Sequence, residues 1–586
     1  MGDYKKSEIN ELEGFVDWKG RPSQKAHQGG IAAIFIYVTQ FFDSVAFFAM
    51  IVNLVTYFNE IMHLEIAKSA TTLTSFVGTT FLMALLGGLI SDSYIDRYKM
   101  SFASACVELA GYIILLVQAH HESLKPPPCN PFNPTSNCEK VRGGKAAMLF
   151  TGLYLIAVGN GCLKGALLPF GADQFNDRDL KGRRKISTYF NMFLFSISAG
   201  GAFGVTVIVW VMNKKGWDIG FGICAATVFL ATITFISGTT SYRNRIPQGS
   251  PLTRILQVFV AAIYNRKLAL PENPNDLYEL DYEEVNMDTQ KLLNTEQFKF
   301  LDKAAILTET PSNYVKMEPS KWRLCSVTQV EETKIVLRMI PIFGCSIILS
   351  TGLAQLQTFS VSQGLTMDRS MGKNFDIPAA SLPFIPIVFL VIIIPIYEKF
   401  FVPFARKFTG HETGITHLQR IGVGLVLSAI SMTIAALVEV KRKNVARETG
   451  MVDFIPLFMP PIPISVFWLG FQYFVFGIAD LFTLVGMMEF FYSEAPERMR
   501  SMATAFSYTS LSLGYFFSTI LVDIVNAATR NITESRGWLR GNNLNRNHLD
   551  LFYWLLAILN VINFVNYLFW SKWYKHKPVF EKTSNV

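Results

Sequence analysis

Three ionisable side chains stand inside long apolar stretches of this 586-residue sequence: Asp43 in IYVTQFFDSVAFFAM, Lys164 in GNGCLKGALLPF and Asp480 in FGIADLFTLVGMMEFF. A charge near the centre of a lipid bilayer costs on the order of 2.5–3.5 kcal/mol, so such residues mark where function is to be sought. The bland reading is that they pair or snorkel for structural reasons. The sharper one is that they face a central cavity and handle protons or a charged substrate. Lys164 offers an ammonium to a carboxylate or to an anion such as nitrate, strengthened where the dielectric is low. Asp43, with Gln40 one turn before it and Phe47 one turn after, and Asp480 are the side chains able to take up and release a proton. Glu108 also falls inside an apolar run, but its neighbours in sequence suggest no role for it. Glu489 lies near a helix end, where snorkelling or capping is expected.

The elements that position these groups are long apolar blocks. Half of the residues are hydrophobic and only 17% are charged, against about 25% in soluble domains. Blocks of about 20 apolar residues are long enough to cross a bilayer. Six are readable at 30–57, 71–90, 100–118, 145–170, 187–212 and 217–238, and six more at 333–359, 377–400, 415–438, 463–491, 503–527 and 549–573. Between them 239–332 is polar and mixed in charge, with no sustained apolar block. The composition excludes a soluble enzyme, a disordered chain and a nucleic-acid-binding domain. The expected fold is an all-α membrane protein with twelve transmembrane helices in two six-helix bundles. The divisions are a tail at 1–29, bundles at 30–238 and 333–573, a linker at 239–332 and a second tail at 574–586. Two halves of equal helix count suit a transporter that rocks one half against the other around a site between them.

The 53 Lys and Arg outnumber the 45 Asp and Glu, giving a formal charge of +8. Basic residues cluster at Lys5, Lys6, Lys19, Arg21 and Lys25, at Arg97 and Lys99, and from Arg178 to Lys185. The positive-inside rule then places both termini and the linker in the cytoplasm. The polar start MGDYKKSEINELEGFVDWKG reads as a tail, neither a cleavable leader nor a myristoylation site. The seven cysteines form no metal pattern, and no HExxH, GxSxG or phosphate-cradling loop is present, so no metal, cofactor or catalytic constellation is expected. Cys129 and Cys138 flank a Pro-rich loop on the expected outer side, where a disulfide suits an oxidising compartment. Asn531 opens an Asn-Ile-Thr glycosylation sequon on that side. Gly159, Gly161 and Gly165 around Lys164 permit close helix approach. Pro341, Pro383, Pro386 and Pro395 interrupt apolar runs of the second half.

Several segments carry a resemblance. GGLISDSYIDRY is similar to the loop motif of the major facilitator superfamily, in which an acid and an arginine, here Asp92 and Arg97, brace neighbouring helices. Lys164 followed by PFGADQFN resembles the signature of the proton-dependent oligopeptide transporter family. IYEKFFVPFARKFTGHETGITHLQRIG and FYSEAPERMRSMATAFSYTSLSLGYFFSTILV resemble its plant branch, the nitrate/peptide transporter family. The similarity runs over nearly the whole chain. It implies the major facilitator fold, with a central site between two halves. It also implies a substrate among nitrate, peptides, hormones such as abscisic acid and gibberellin, and specialised metabolites.

Departures from the family pattern narrow this. The family's first-helix motif is Glu-x-x-Glu-Arg, and this chain reads Gln40-Phe41-Phe42-Asp43-Ser44. That change puts proton coupling through the motif in doubt and leaves Lys164 with fewer acids to pair with. Asp480 falls where the family often has a tenth-helix Glu. Leu353 stands in place of the histidine used by the best-known nitrate transporter of the branch, and Met100 in place of its regulatory Thr. The expected cavity lining is Gln40, Lys164, Asn191, Phe195, Leu353, Gln355, Phe384, Asp480 and Tyr508. An apolar, aromatic wall with single polar groups suits a bulky organic acid better than a small inorganic ion. QAHHESLKPPPC and KAAMLFTGLYLIAVG resemble the branch's hormone-transporting subgroup. The expectation is alternating-access transport of a small organic acid, of abscisic acid or gibberellin type, with protons as a possible co-substrate. Nitrate or peptide transport, uniport and a non-transporting ligand sensor are the alternatives. The plasma membrane is the expected host and the vacuolar membrane the alternative.

Overall fold

A computed structural model of the protein describes residues 11–24, 29–64, 66–127, 139–176, 180–247, 249–279, 292–307, 320–372, 377, 381–382, 385–411, 413–452, 461–532, 537–540 and 543–576. Among these, twelve helices are long and apolar enough to cross a membrane. The first six are α1 (Gly29–Glu60), α2 (Ile66–Ser93), α3 (Arg97–His120), α4 (Gly143–Ala172), α5 (Leu180–Phe203) and α6 (Trp217–Ser237). The second six are α7 (Val327–Thr366), α8 (Ile385–Ile396), α9 (His417–Glu448), α10 (Leu469–Glu494), α11 (Arg500–Ala528) and α12 (Leu549–Trp573). α5 and α8 each continue past a π turn, at Gly204–Ile208 and Tyr397–Phe401, into the short segments Val209–Lys215 and Val402–Thr409. The second π turn comes just after Pro395, which has no N–H for the regular ladder.

The packing of the first six helices is repeated by the second six. α1 lies against α5 and α6, α3 against α4 and α6, and α2 against α4. Six helices on, α7 lies against α11 and α12, α9 against α10 and α12, and α8 against α10. The halves meet chiefly along α2 with α11 and α5 with α8, a pairing that the same repeat maps onto itself. Close approach needs small residues. A Cβ on Gly165 of α4 would stand 2.1 Å from the Ala84 carbonyl oxygen of α2, and one on Gly159 would stand 2.5 Å from the Glu108 nitrogen of α3. Gly161 is held equally tightly against Thr80.

Helix starts follow local chemistry. Asp96 caps α3 by accepting from the Lys99 N–H at 2.8 Å, and Thr416 and Gln419 cap α9 reciprocally at 3.2 and 3.1 Å.

Several features differ from the sequence expectation. The linker does contain an apolar helix, Pro251–Tyr264, started by Ser250 and Pro251. Val258, Ala261 and Ala262 bury one of its faces against Leu301, Ala304, Ala305 and Val330, a small core of its own. At 14 residues it is too short to span, and its apolar residues recur at helical spacing, which a search for long blocks passes over. α7 begins at Val327 rather than 333, because Ser326 caps it and its first turns are buried in the linker. There Glu331 holds Lys334 at 2.8 Å and Arg338 at 3.2 Å.

The N-terminal segment is also more than a tail. β1 (Glu11–Val16) pairs with β2 (Pro22–Gln24) and with β3 (Asn244–Arg245) of the linker, Phe15 opposite Arg245. α8 starts at Ile385, whereas the apolar run starts at 377, and α9 continues to Glu448.

Candidate functional site

The first half holds a buried polar cluster built from three helices. α1 contributes Gln40, Asp43, Ser44 and Phe47, which share a face because they lie three or four residues apart. α4 contributes Asn160 and Lys164 at the same spacing, and α3 contributes Glu108. Gln40, Glu108 and Asn160 have no exposed surface, Asp43 has 1% and Lys164 has 5%. The Asn160 amide nitrogen donates to Asp43 at 3.0 Å and to Glu108 at 3.1 Å, so one donor bridges two carboxyls. Lys164 donates to the side-chain amide oxygen of Asn160, and its ammonium lies 4.0 Å from Asp43. The same ammonium sits 4.0 Å from the centre of the Phe47 ring, where the aromatic face attracts it. Gln40 donates to Asp43 at 3.2 Å and to Ser44 at 3.0 Å. Two buried oxygens accept no hydrogen bond among the described residues, Gln40 Oε1 and Glu108 Oε2.

Gln40 leaves α1 with one acid beside Lys164, and α3 brings a second, Glu108, into the group. Glu108, whose role its sequence neighbours left blank, is a full member, and close α3–α4 packing at Gly159 puts it there.

The rest of the expected lining is dispersed. Tyr508 of α11 is buried, stacks on Phe81 of α2 at 6.2 Å, and leaves its hydroxyl without a partner among the described residues. The two halves thus meet through an aromatic pair. Gln355 is turned into its own half, donating to the Ser518 carbonyl at 2.9 Å and hydroxyl at 2.7 Å. Leu353 and Phe195 are partly buried hydrophobics packed on the main core. Asp480 is partly buried and has no hydrogen bond or ion pair among the described residues. Phe384, Pro383 and the Cys129 and Cys138 pair lie outside the described residues. Asn531 is exposed just past the end of α11, and Thr533 of its sequon lies outside the description.

Asn191 belongs to a different arrangement, at the end of the helices that faces the linker. It donates to Glu398 at 2.7 Å and accepts from Arg420 at 2.6 Å, so it ties α5 to the π turn after α8 and to α9. Thr188 adds a 2.6 Å bond to Glu398, and Arg420 also reaches Glu489 at 3.3 Å. Glu489 is therefore a buried ion-pair partner rather than a snorkelling or capping residue.

A second set of inter-half bonds centres on Arg97, which pairs with Asp92 at 2.9 Å and with Asp173. Asp92 accepts the Met502 N–H at 2.9 Å, and Asp173 accepts the Tyr492 hydroxyl at 2.7 Å, both donors coming from the second half. Burial alone would raise the Asp173 carboxyl, but Arg97, Arg245 and Arg500 outweigh it and hold it below the usual carboxylate range. The two halves are locked together on the linker side in this conformation.

The model of the POT family, PTR2, matches residues 98–539. The chain belongs to the POT family. Its Arabidopsis thaliana relatives include Protein NRT1/ PTR FAMILY 4.5, 45% identical over 97% of this chain and 98% of that protein. Protein NRT1/ PTR FAMILY 4.6 is also 45% identical, over 97% and 98%. Among solved structures, the POT family transporter PepTSo shares the fold with a TM-score of 0.58 at 17% identity, covering 92% of this chain and 97% of that one. A POT family transporter in complex with 5-aminolevulinic acid gives 0.57 at 12% identity, covering 92% and 96%.

This POT-family chain is thus a multi-pass membrane transporter of the major facilitator type and not an enzyme. Within that frame the cluster can do two things chemically. Its one ammonium can exchange an internal carboxylate for one carried by a ligand. Its two carboxyls, joined by one amide, can change their number of bound protons with little movement of heavy atoms.

Proposed function

We propose that this protein is a secondary transporter of a small organic acid, working by alternating access with Lys164 as the anchor for the substrate carboxylate. The observation that carries this reading is the position of Lys164. It is the one cation of a buried cluster, close to Asp43 and in contact with the face of Phe47. A ligand carboxylate can replace Asp43 beside the ammonium, and an apolar body can lie along the aromatic surface formed with Phe81 and Tyr508. A compact, carboxylated molecule with a ring system, of abscisic acid or gibberellin type, meets both requirements. That a transporter of the same fold is known in complex with 5-aminolevulinic acid, itself a carboxylate, is consistent with this class.

Nitrate fits less well. It has no apolar body to bury, and Leu353 supplies neither donor nor charge. Gln40, Asp480 and Tyr508 are the remaining candidates for polar contacts, and Phe195 and Phe384 for apolar ones. We place the linker side and both termini in the cytoplasm, and the protein in the plasma membrane, on the distribution of Lys and Arg in its loops. The locked linker side then corresponds to a state closed toward the cytoplasm.

The test is saturable uptake by proteoliposomes holding the purified protein. A panel of labelled abscisic acid, gibberellin, a dipeptide and nitrate is supplied, with protein-free liposomes to subtract passive entry of the neutral acids. Uptake of an organic acid without nitrate is expected. Nitrate or dipeptide uptake alone would overturn the substrate class.

A further inference from the structure

We propose that Glu108 is a proton-binding site of this transporter, and that its protonation is what admits an anionic substrate to Lys164. The inference deepens the transport reading and rests on it for the second clause only.

The hydrogen-bond inventory separates the two acids. Asp43 is well supplied with donors: Asn160 on one oxygen, Gln40 on the other, and the Lys164 ammonium at 4.0 Å. A carboxylate accepts and does not donate, so this surrounding suits an ionised Asp43. Glu108 receives one bond from a neutral donor, Asn160 to Oε1, and Oε2 is buried without a donor among the described residues. Its carboxyl also lies within hydrogen-bond reach of Asp43, which while ionised can accept a bond from a protonated Glu108 but cannot give one. A bare carboxylate oxygen buried in that way is costly, and a proton on it removes the charge. The charged and titratable groups around Glu108 are Asp43 from α1, Lys164 from α4 and Tyr112 one turn along α3, with Cys224 of α6 beyond Tyr112. Lys164 is the sole cation among them.

Charge balance then orders the events. With Asp43 and Glu108 both ionised against Lys164, the cluster carries one net negative charge and repels an anion. A proton taken from water on the outer side bonds to Glu108 and makes the cluster neutral. A substrate carboxylate can then approach Lys164 without that repulsion. After the halves rearrange, the O–H bond of Glu108 breaks, the proton passes to water on the linker side, and the restored carboxylate helps expel the anion. One monoanion moves with one proton, and the cycle carries no net charge.

Glu108→Gln tests this, because the amide keeps the shape and an oxygen for Asn160 while fixing the neutral form. In proteoliposomes it should abolish accumulation of the organic acid driven by a proton gradient, and counterflow exchange should lose its pH dependence. Glu108→Gln accumulating substrate under that gradient as the wild type does would overturn the proposal. A substrate-free measurement stands apart from the transport reading: infrared difference titration of the purified protein for the C=O band of a protonated buried carboxyl. Part of that band should vanish in Glu108→Gln; a band in Glu108→Gln unchanged from the wild type would place the proton elsewhere and sink the idea. If the wild type carries no organic acid, the function proposed above fails, while the infrared titration still decides Glu108.

Discussion

Asn160 and Glu108, 52 residues apart in sequence, are joined by a 3.1 Å hydrogen bond between α4 and α3. The same amide nitrogen reaches Asp43 of α1 at 3.0 Å, so a single neutral side chain organises two acids from two other helices. Its carbonyl oxygen takes the Lys164 ammonium. Asn160 is thus the hub of the cluster, and every charged member touches it.

Removing the hub should be felt in stability. Asn160→Ala takes a donor from two buried carboxyls and an acceptor from a buried ammonium. Leaving such groups unsatisfied costs about 1–3 kcal/mol each, with some recovery through rearrangement. We expect a clear fall in the thermal midpoint of the detergent-purified protein. A midpoint equal to that of the wild type would show that the three helices do not depend on this contact.

The α2–α4 seam should tolerate no added volume. Gly165→Val would bring a Cβ to 2.1 Å from the Ala84 carbonyl oxygen, a backbone atom that cannot rotate away. Overpacking of this kind costs about 1–3 kcal/mol and shifts helices. Since Lys164 is the preceding residue, transport should fall together with thermal stability. Retention of both would contradict the packing described.

The linker-side lock is expected to be a movable part. Tyr492→Phe removes the 2.7 Å bond to Asp173 while keeping the ring. A charge-assisted bond is worth about 1.5–3 kcal/mol, enough to shift a conformational balance by about ten-fold or more. Spin labels at Lys99 and His411, both exposed and in different halves, should report a larger share of long distances in the variant. An unchanged distance distribution would mean that the bond does not hold the closed state.

The exit of α12 carries a pH-sensitive contact. His576 lies 2.7 Å from Glu494 of α10, and that hydrogen bond, opposed by partial burial and aided by the charge of Glu494, raises the imidazole above its usual range. A raised folded-state value means that the contribution is complete below the unfolded value of about 6.5 and is lost as pH rises through the folded value. His576→Ala should therefore lower the thermal midpoint more in mildly acid than in alkaline buffer. A difference that is the same at both would remove the contact from the stability account.

Much of this architecture was legible before any coordinates. The twelve apolar blocks mark the twelve long apolar helices found among the described residues, because bilayer thickness sets a minimum length that composition reports directly. Lys164 and Asp43 stand out for the same reason: a charge in an apolar run is visible one residue at a time. Glu108 is equally visible, but its meaning depends on Asn160 facing it from another helix, and spacing along α3 says nothing of that. Asn191 illustrates the reverse: chosen for a cavity wall, it is drawn into the linker-side lock by Glu398 and Arg420, residues far away in sequence. The linker helix Pro251–Tyr264 was within reach of a periodicity reading, whereas the pairing of β1 with β3 brings together segments more than 200 residues apart and has no local signal.

The most direct test of the central claim is the substitution of Lys164. Uptake of labelled abscisic acid, and of gibberellin in parallel, is measured in proteoliposomes containing wild type or Lys164→Ala at matched, monodisperse protein. A charge-assisted bond to the substrate carboxylate is worth about 1.5–3 kcal/mol, so uptake at low substrate should fall by about 10- to 100-fold in the variant. Organic-acid uptake by Lys164→Ala equal to that of the wild type would contradict the assignment of Lys164 as the anchor and the account built on it.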